Sequence, residues 1–217
     1  MKKLKLMMLA VFAMACSMVS AQSDFFPYGQ NAITLGYANL SAENSEDPLQ
    51  GARLTYTHIF ELTEYAPVFL EAGALFQYAK VDGTDVFKGK GVRTEFSLGY
   101  FSVPVNVGYA FNIGDTGFSI APKVGVSAFY NVLANFDVMM ADKDFNVDWF
   151  DDVDAKRFNF GWQVGADIAF KQLVLGVTYG QDFNNFIDDV KVPVGNAQLD
   201  FVASKWKRFN VSIGYRF

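Results

Sequence analysis

The chain has 217 residues, 51% hydrophobic and 17% aromatic, with a net charge of −5. So high an aromatic load with only 19% charged residues excludes a disordered chain, and one Cys and one His exclude a disulfide scaffold or a His/Cys zinc site. An acidic chain is also a poor partner for nucleic acid, whose affinity rests on neutralised phosphates.

Residues 1–21 read as an address. Lys2, Lys3 and Lys5 form a positive start, Leu6 to about Ala15 is apolar, and Val19-Ser20-Ala21 suits signal peptidase. The spacing predicts a secretory signal cut after Ala21, leaving one domain over 22–217. Cys16 raises lipidation, but Ala13-Met14-Ala15 departs from a lipobox. After the signal, no apolar run is long enough for a membrane helix.

From Gln30 onward the dominant period is two, the period of a strand with unlike faces. Eight segments follow, at about 30–40, 50–60, 66–80, 93–113, 117–132, 156–170, 172–184 and 203–217. In the fourth, Phe96, Leu98 and Tyr100 are on even numbers, while Val103, Val105, Val107 and Tyr109 are on odd ones. A β-bulge near Phe101–Ser102 would restore one apolar face, and Pro104 fits a disturbed ladder.

The connections alternate in length. Glu61–Tyr65, Gly114–Thr116 and about Lys171 are short; Ser41–Leu49, Val81–Val92, Leu133–Ala155 and Asn185–Val202 are long. This is an up-and-down meander with two unlike rims. The second face of each strand holds Gly, Ala, Ser, Thr and Asn, which suit a crowded interior rather than water. The bulky face must then look at lipid, as in a transmembrane barrel with short periplasmic turns and long external loops. Aromatics fall toward strand ends. Phe60, Tyr109, Phe111, Phe118, Phe170, Tyr215 and Phe217 are near the short turns; Tyr37, Tyr78, Tyr130, Phe158, Phe160 and Phe209 are near the long loops. Two interfacial girdles account for both bands. The fold class is all-β, an eight-stranded antiparallel up-and-down transmembrane β-barrel.

The signal, the eight segments and the final Phe209-x-Val211-x-Ile213-x-Tyr215-x-Phe217 resemble small bacterial outer-membrane barrels of the OmpA, OmpX and OmpW kind. Val103-Pro104-Val105-Asn106-Val107-Gly108-Tyr109 and Ala121-Pro122-Lys123-Val124-Gly125-Val126 are similar to the porin-like outer membrane protein beta-barrel family. The resemblance implies an outer-membrane destination. It also implies that the barrel-assembly machinery recognises Phe209, Val211, Ile213, Tyr215 and Phe217, with periplasmic chaperones as partners in biogenesis.

Inward parity holds Arg53, Glu71, Glu95, Lys123, Asp167, Asp182, Arg208 and Arg216. A lumen this narrow is filled by side chains, and its charges must pair. Matching heights predict Lys123 with Asp167 and Asp182 with Arg208. The longest loop is acidic, with Asp137, Asp142, Asp144, Asp148, Asp151, Asp152 and Asp154 against Lys143 alone. Its Asp142-x-Asp144-x-Asn146-x-Asp148 run resembles the start of a calcium loop, but Val147 and Val153 stand where Gly and Glu are required. No metal site or cofactor is expected. Phe136, Asp142, Asp144, Phe145, Trp149 and Phe150 form the candidate external binding surface, with capping of the barrel mouth as the alternative for the aromatics.

The parity of His58 points it to lipid or the interface, away from any nucleophile, so no enzyme is expected. The sequence predicts a monomeric barrel among lipid and lipopolysaccharide, with a filled lumen and a structural or surface-interaction role. A narrow channel or small-solute barrel is the competing reading, and inverted faces argue against a secreted lipocalin-like barrel.

Overall fold

The computed structural model describes residues 30–43, 47–83, 93–140, 143–153, 155–194, 197–201 and 203–217. Residues 1–21, the expected signal, lie outside them. The strands are β1 (Asn31–Ala42), β2 (Leu49–Glu61), β3 (Val68–Gly83), β4 (Arg93–Tyr109), β5 (Phe111–Asn112), β6 (Phe118–Met140), β7 (Lys143–Asp148), β8 (Phe158–Phe170), β9 (Leu173–Asp182), β10 (Val190–Val194), β11 (Ala197–Phe201) and β12 (Trp206–Arg216).

Eight of them close a ring. The order runs β4-β3-β2-β1-β12-β9-β8-β6, and β6 pairs back onto β4, all antiparallel. Closure removes every open edge, the requirement for a sheet surrounded by lipid. First and last strands meet at one seam, with Leu35 opposite Ile213 and Tyr37 opposite Val211. The Phe217 amide donates to the Asn31 carbonyl at 2.8 Å, and the Asn31 amide donates back at 3.0 Å. Short turns use left-handed backbone at Gly114, Gly117 and Lys171.

The alternation of the sequence becomes the two faces of the wall. Ile33, Leu35, Val103, Val105, Val107, Val211, Ile213 and Tyr215 are exposed on the outside. Glycines face inward where neighbouring strands curl tightly. A Cβ at Gly51 would meet the Tyr78 carbonyl oxygen at 1.9 Å, and one at Gly125 the Val105 oxygen at 2.0 Å. On the outer surface Tyr109 contacts Phe111 at 4.6 Å and Phe118 contacts Phe170 at 5.7 Å near the short turns; Phe158 contacts Phe160 at 4.5 Å near the long loops.

Three sequence expectations are corrected. The bulge is in β6, not near Phe101–Ser102: Gly99 pairs with Leu133 and Tyr100 with Asn131, leaving Val132 extra. Strand β4 therefore keeps one parity, and Phe96, Leu98 and Tyr100 are buried inside with Ser102, Pro104 and Asn106. Apolar residues sit inward there because the long-loop half of the lumen is itself apolar. Second, Leu133–Ala155 is not a plain loop, since β6 continues to Met140 and β7 folds back on it. Third, Asn185–Val202 contains the β10–β11 hairpin. The walls differ in height: β6 has 23 residues, β9 has 10 and β12 has 11.

Candidate functional site

The lumen is filled in layers. Nearest the short turns lies a small apolar floor of Ile59, Phe69, Ala110 and Ala121. Above it is an ionic layer. Lys123 on β6 donates to both oxygens of Glu71 on β3 at 3.0 Å and to Asp167 on β8 at 2.7 Å. Asn106 on β4 donates to Glu71 at 2.7 Å; Gln163 on β8 donates to Asn106 at 2.6 Å, and Ser127 on β6 to Gln163 at 3.0 Å. These bonds tie β3, β4, β6 and β8 across the lumen. Burying a charge is tolerable only with partners of this kind. Arg53 and Arg216 line the same layer around a cavity of about 30 Å³.

A second ion pair lies higher. Arg208 on β12 and Asp182 on β9 form a two-pronged bond; Nη2 lies 3.0 Å from Oδ2, and Nη1 donates to Oδ1. The Arg208 guanidinium also covers the Phe129 ring at 3.8 Å and stands 5.3 Å from the Tyr100 ring. A desolvated cation over aromatic faces contributes ~2 kcal/mol. This pair joins the polar layer to the apolar one.

The long-loop half is an aromatic stopper. Trp149 packs on Phe96 at 4.7 Å and on Phe186 at 5.9 Å; Trp206 lies 5.9 Å from Phe186 and 6.2 Å from Phe96. Strands supply Phe96 and Trp206; the connections after β7 and β9 supply Trp149 and Phe186. Main-chain bonds hold those connections down. The Trp149 amide donates to Ala134, Lys156 to Phe186 and Phe186 to Ser204, each at 2.9 Å. Phe136 and Phe150 pack against the same cluster, and Arg157 covers the Phe150 ring at 4.1 Å.

The sequence-derived candidates are thus divided. Arg53, Glu71, Lys123, Asp167, Asp182, Arg208 and Arg216 are in the lumen. Glu95 is not. It faces outward at the long-loop end and bonds Lys80 at 3.2 Å, because β4 has no parity break. Of the external-loop set, Trp149 is buried, and Phe136 and Phe150 are half-buried in the stopper. Asp142 and the side chains of Asp144 and Phe145 lie outside the described residues. Asp151 and Asp152 are exposed at the rim. The residues Phe209, Val211, Ile213, Tyr215 and Phe217 all present outward from β12.

The sequence reading missed Asn106, Gln163, Tyr100 and Trp206 as lumen residues. Inward parity on the third and fourth segments would have found Asn106. His58 sits on the outer parity, yet its ring is buried, with Nδ1 2.8 Å from Asn31 Oδ1 and Phe60 edge-on at 4.3 Å. Among the described residues, no cluster of three or more His, Cys, Asp or Glu could hold a metal ion.

The family model for the outer membrane protein beta-barrel domain matches residues 7–217. No curated protein matches. Among solved structures, the attachment invasion locus protein Ail of Yersinia pestis has 14% identity and a TM-score of 0.45 over 87% of this chain and 99% of its own. Neisserial surface protein A has 11% identity and a TM-score of 0.41, covering 86% and 96%. The outer membrane enzyme PagL has 13% identity and a TM-score of 0.47, covering 86% and 99%. Likeness at this level carries no function from one chain to another.

Proposed function

The chain belongs to the outer membrane protein beta-barrel domain family, and from that premise we propose that it works through its external rim rather than through its lumen. It is an outer-membrane β-barrel, and its closed wall fits that destination. The observation that carries the reading is the four-ring stopper of Phe96, Trp149, Phe186 and Trp206, seated above an ionic layer that spans the lumen. A solute path would have to displace both.

The rim offers charge. Asp151, Asp152 and Asp188 are exposed at the long-loop end, and their aromatic neighbours are turned inward. This supports a structural or surface-interaction role in which acidic groups meet partners, lipopolysaccharide-bound divalent ions among them. The protein reaches its place as a monomer, after removal of residues 1–21 and delivery of β12 to the assembly machinery. His58 bonds an amide oxygen rather than a serine hydroxyl, which supports a non-enzymatic role.

The test compares cells carrying the wild-type protein with cells carrying Asp151→Asn/Asp152→Asn. Reduced binding of a cationic surface probe, with unchanged bilayer conductance, is expected. Stable conductance steps from the wild type would instead favour the narrow channel.

A further inference from the structure

The charges around the lower cavity of the lumen do not balance. Among the described residues that line it, Arg53, Lys123 and Arg216 face Glu71 and Asp167. Lys123 engages both Glu71 and Asp167, and Arg208 is matched by Asp182. Among the described residues, Arg53 bonds the Thr55 hydroxyl oxygen alone, at 3.0 Å. Arg216 is 5% exposed, and its Nε is buried without an acceptor among the described residues. Both arginines line one cavity of about 30 Å³, together with Thr34, Thr55, Thr178 and Ser212. That volume admits a water-sized or halide-sized guest.

We propose that this cavity is a binding site for a small monovalent anion, chloride in ordinary media, held between Arg53 and Arg216. Two guanidinium groups supply charge-assisted donors, and the surrounding hydroxyls supply neutral ones. Thr55 is already arranged for this, since its oxygen accepts from Arg53 and its hydroxyl proton is left to donate inward. The anion neutralises the surplus cation in a place where an unmatched charge is costly. A cation would meet the same surplus and be repelled. The site is independent of what the external rim binds.

The test is a bromide soak of crystals of the full barrel, with anomalous data collected at the bromine edge. A bromide peak between Arg53 and Arg216 is expected in the wild type. Arg216→Gln should lower its occupancy, corresponding to affinity about tenfold weaker. Heat-modifiable migration on a denaturing gel shows that the variant still closes its barrel. Should Arg216→Gln fail to close, Arg53→Gln replaces it; should neither close, the wild-type soak decides alone. A cavity holding only water while surface bromides are visible would overturn the proposal. So would an undiminished peak in a folded arginine variant.

Discussion

At the scale of single residues, burial sorts the ion pairs by consequence. Lys123 is enclosed and serves two carboxylates, so Lys123→Met strands Glu71 and Asp167 together. Breaking a buried pair from one side costs about 3–5 kcal/mol. The expected result is a large drop in the urea midpoint of the barrel refolded in micelles. Glu95→Gln should leave that midpoint unchanged, because Glu95 and Lys80 meet at an exposed outer surface where solvent screens them. A drop from Glu95→Gln equal to that from Lys123→Met would mean that Glu95 acts in the lumen after all. Lys123 beside Asp167 and Arg208 beside Asp182 follow from parity and strand adjacency. Glu95 does not, because parity there depended on where a bulge was placed. The bonds of Asn106 and Gln163 were not legible for a different reason: neutral amides give no charge pattern to read.

At the scale of elements, the period of two made the eight barrel strands legible to within a few residues, save that β6 runs on from 132 to Met140. The position of the bulge was not. Phe96, Leu98 and Tyr100 look the same in sequence whether they face lipid or an apolar lumen. Only the opposite strand, with its extra Val132, distinguishes the two. Deleting Val132 should close the bulge without a slip: Asn131 and Leu133 become consecutive opposite Tyr100 and Gly99, and Ala134, Phe136 and Val138 stay inward. Trp149 would keep its seat on Phe96. The expected signature is a barrel that still shifts on heating and whose tryptophan fluorescence is unchanged; a move to the red would mean that the register beyond Val132 had slipped. Strand β12 carries a second prediction. Phe217 is half exposed outside, and its main chain closes the seam with Asn31. Phe217→Ala should therefore refold in micelles much like the wild type, yet reach the outer membrane of cells poorly. Equal yields in cells would count against β12 as an assembly signal.

At the scale of the molecule, the lumen is apolar at both ends and ionic between them. The acidic sequence of the long connections left capping of the mouth as one of two readings of Phe136, Trp149 and Phe150 and gave no sign of Phe186, because these rings are scattered among Asp and Asn residues that stay at the rim. Removing the stopper should open the outer end. The double variant Trp149→Ala/Trp206→Ala is expected to show conductance in planar bilayers where the wild type shows none. The ionic layer remains as the narrower barrier, so the steps should be small. Conductance of both proteins at one level would place the resistance in the ionic layer alone.

The unequal walls have a topographic consequence. At ~3.3 Å per residue, the 23 residues of β6 measure ~75 Å along the strand, against ~35 Å for the 10 of β9. The apolar belt of such a barrel is only ~25 Å tall. One flank therefore rises as a parapet above the lipid while the opposite flank ends close to it. The mouth is sloped, and visitors arriving from outside meet the upper end of β6 well before they reach the opening. Proteases and antibodies should find that strand end first, and a nick in β7 would leave the eight-stranded ring standing.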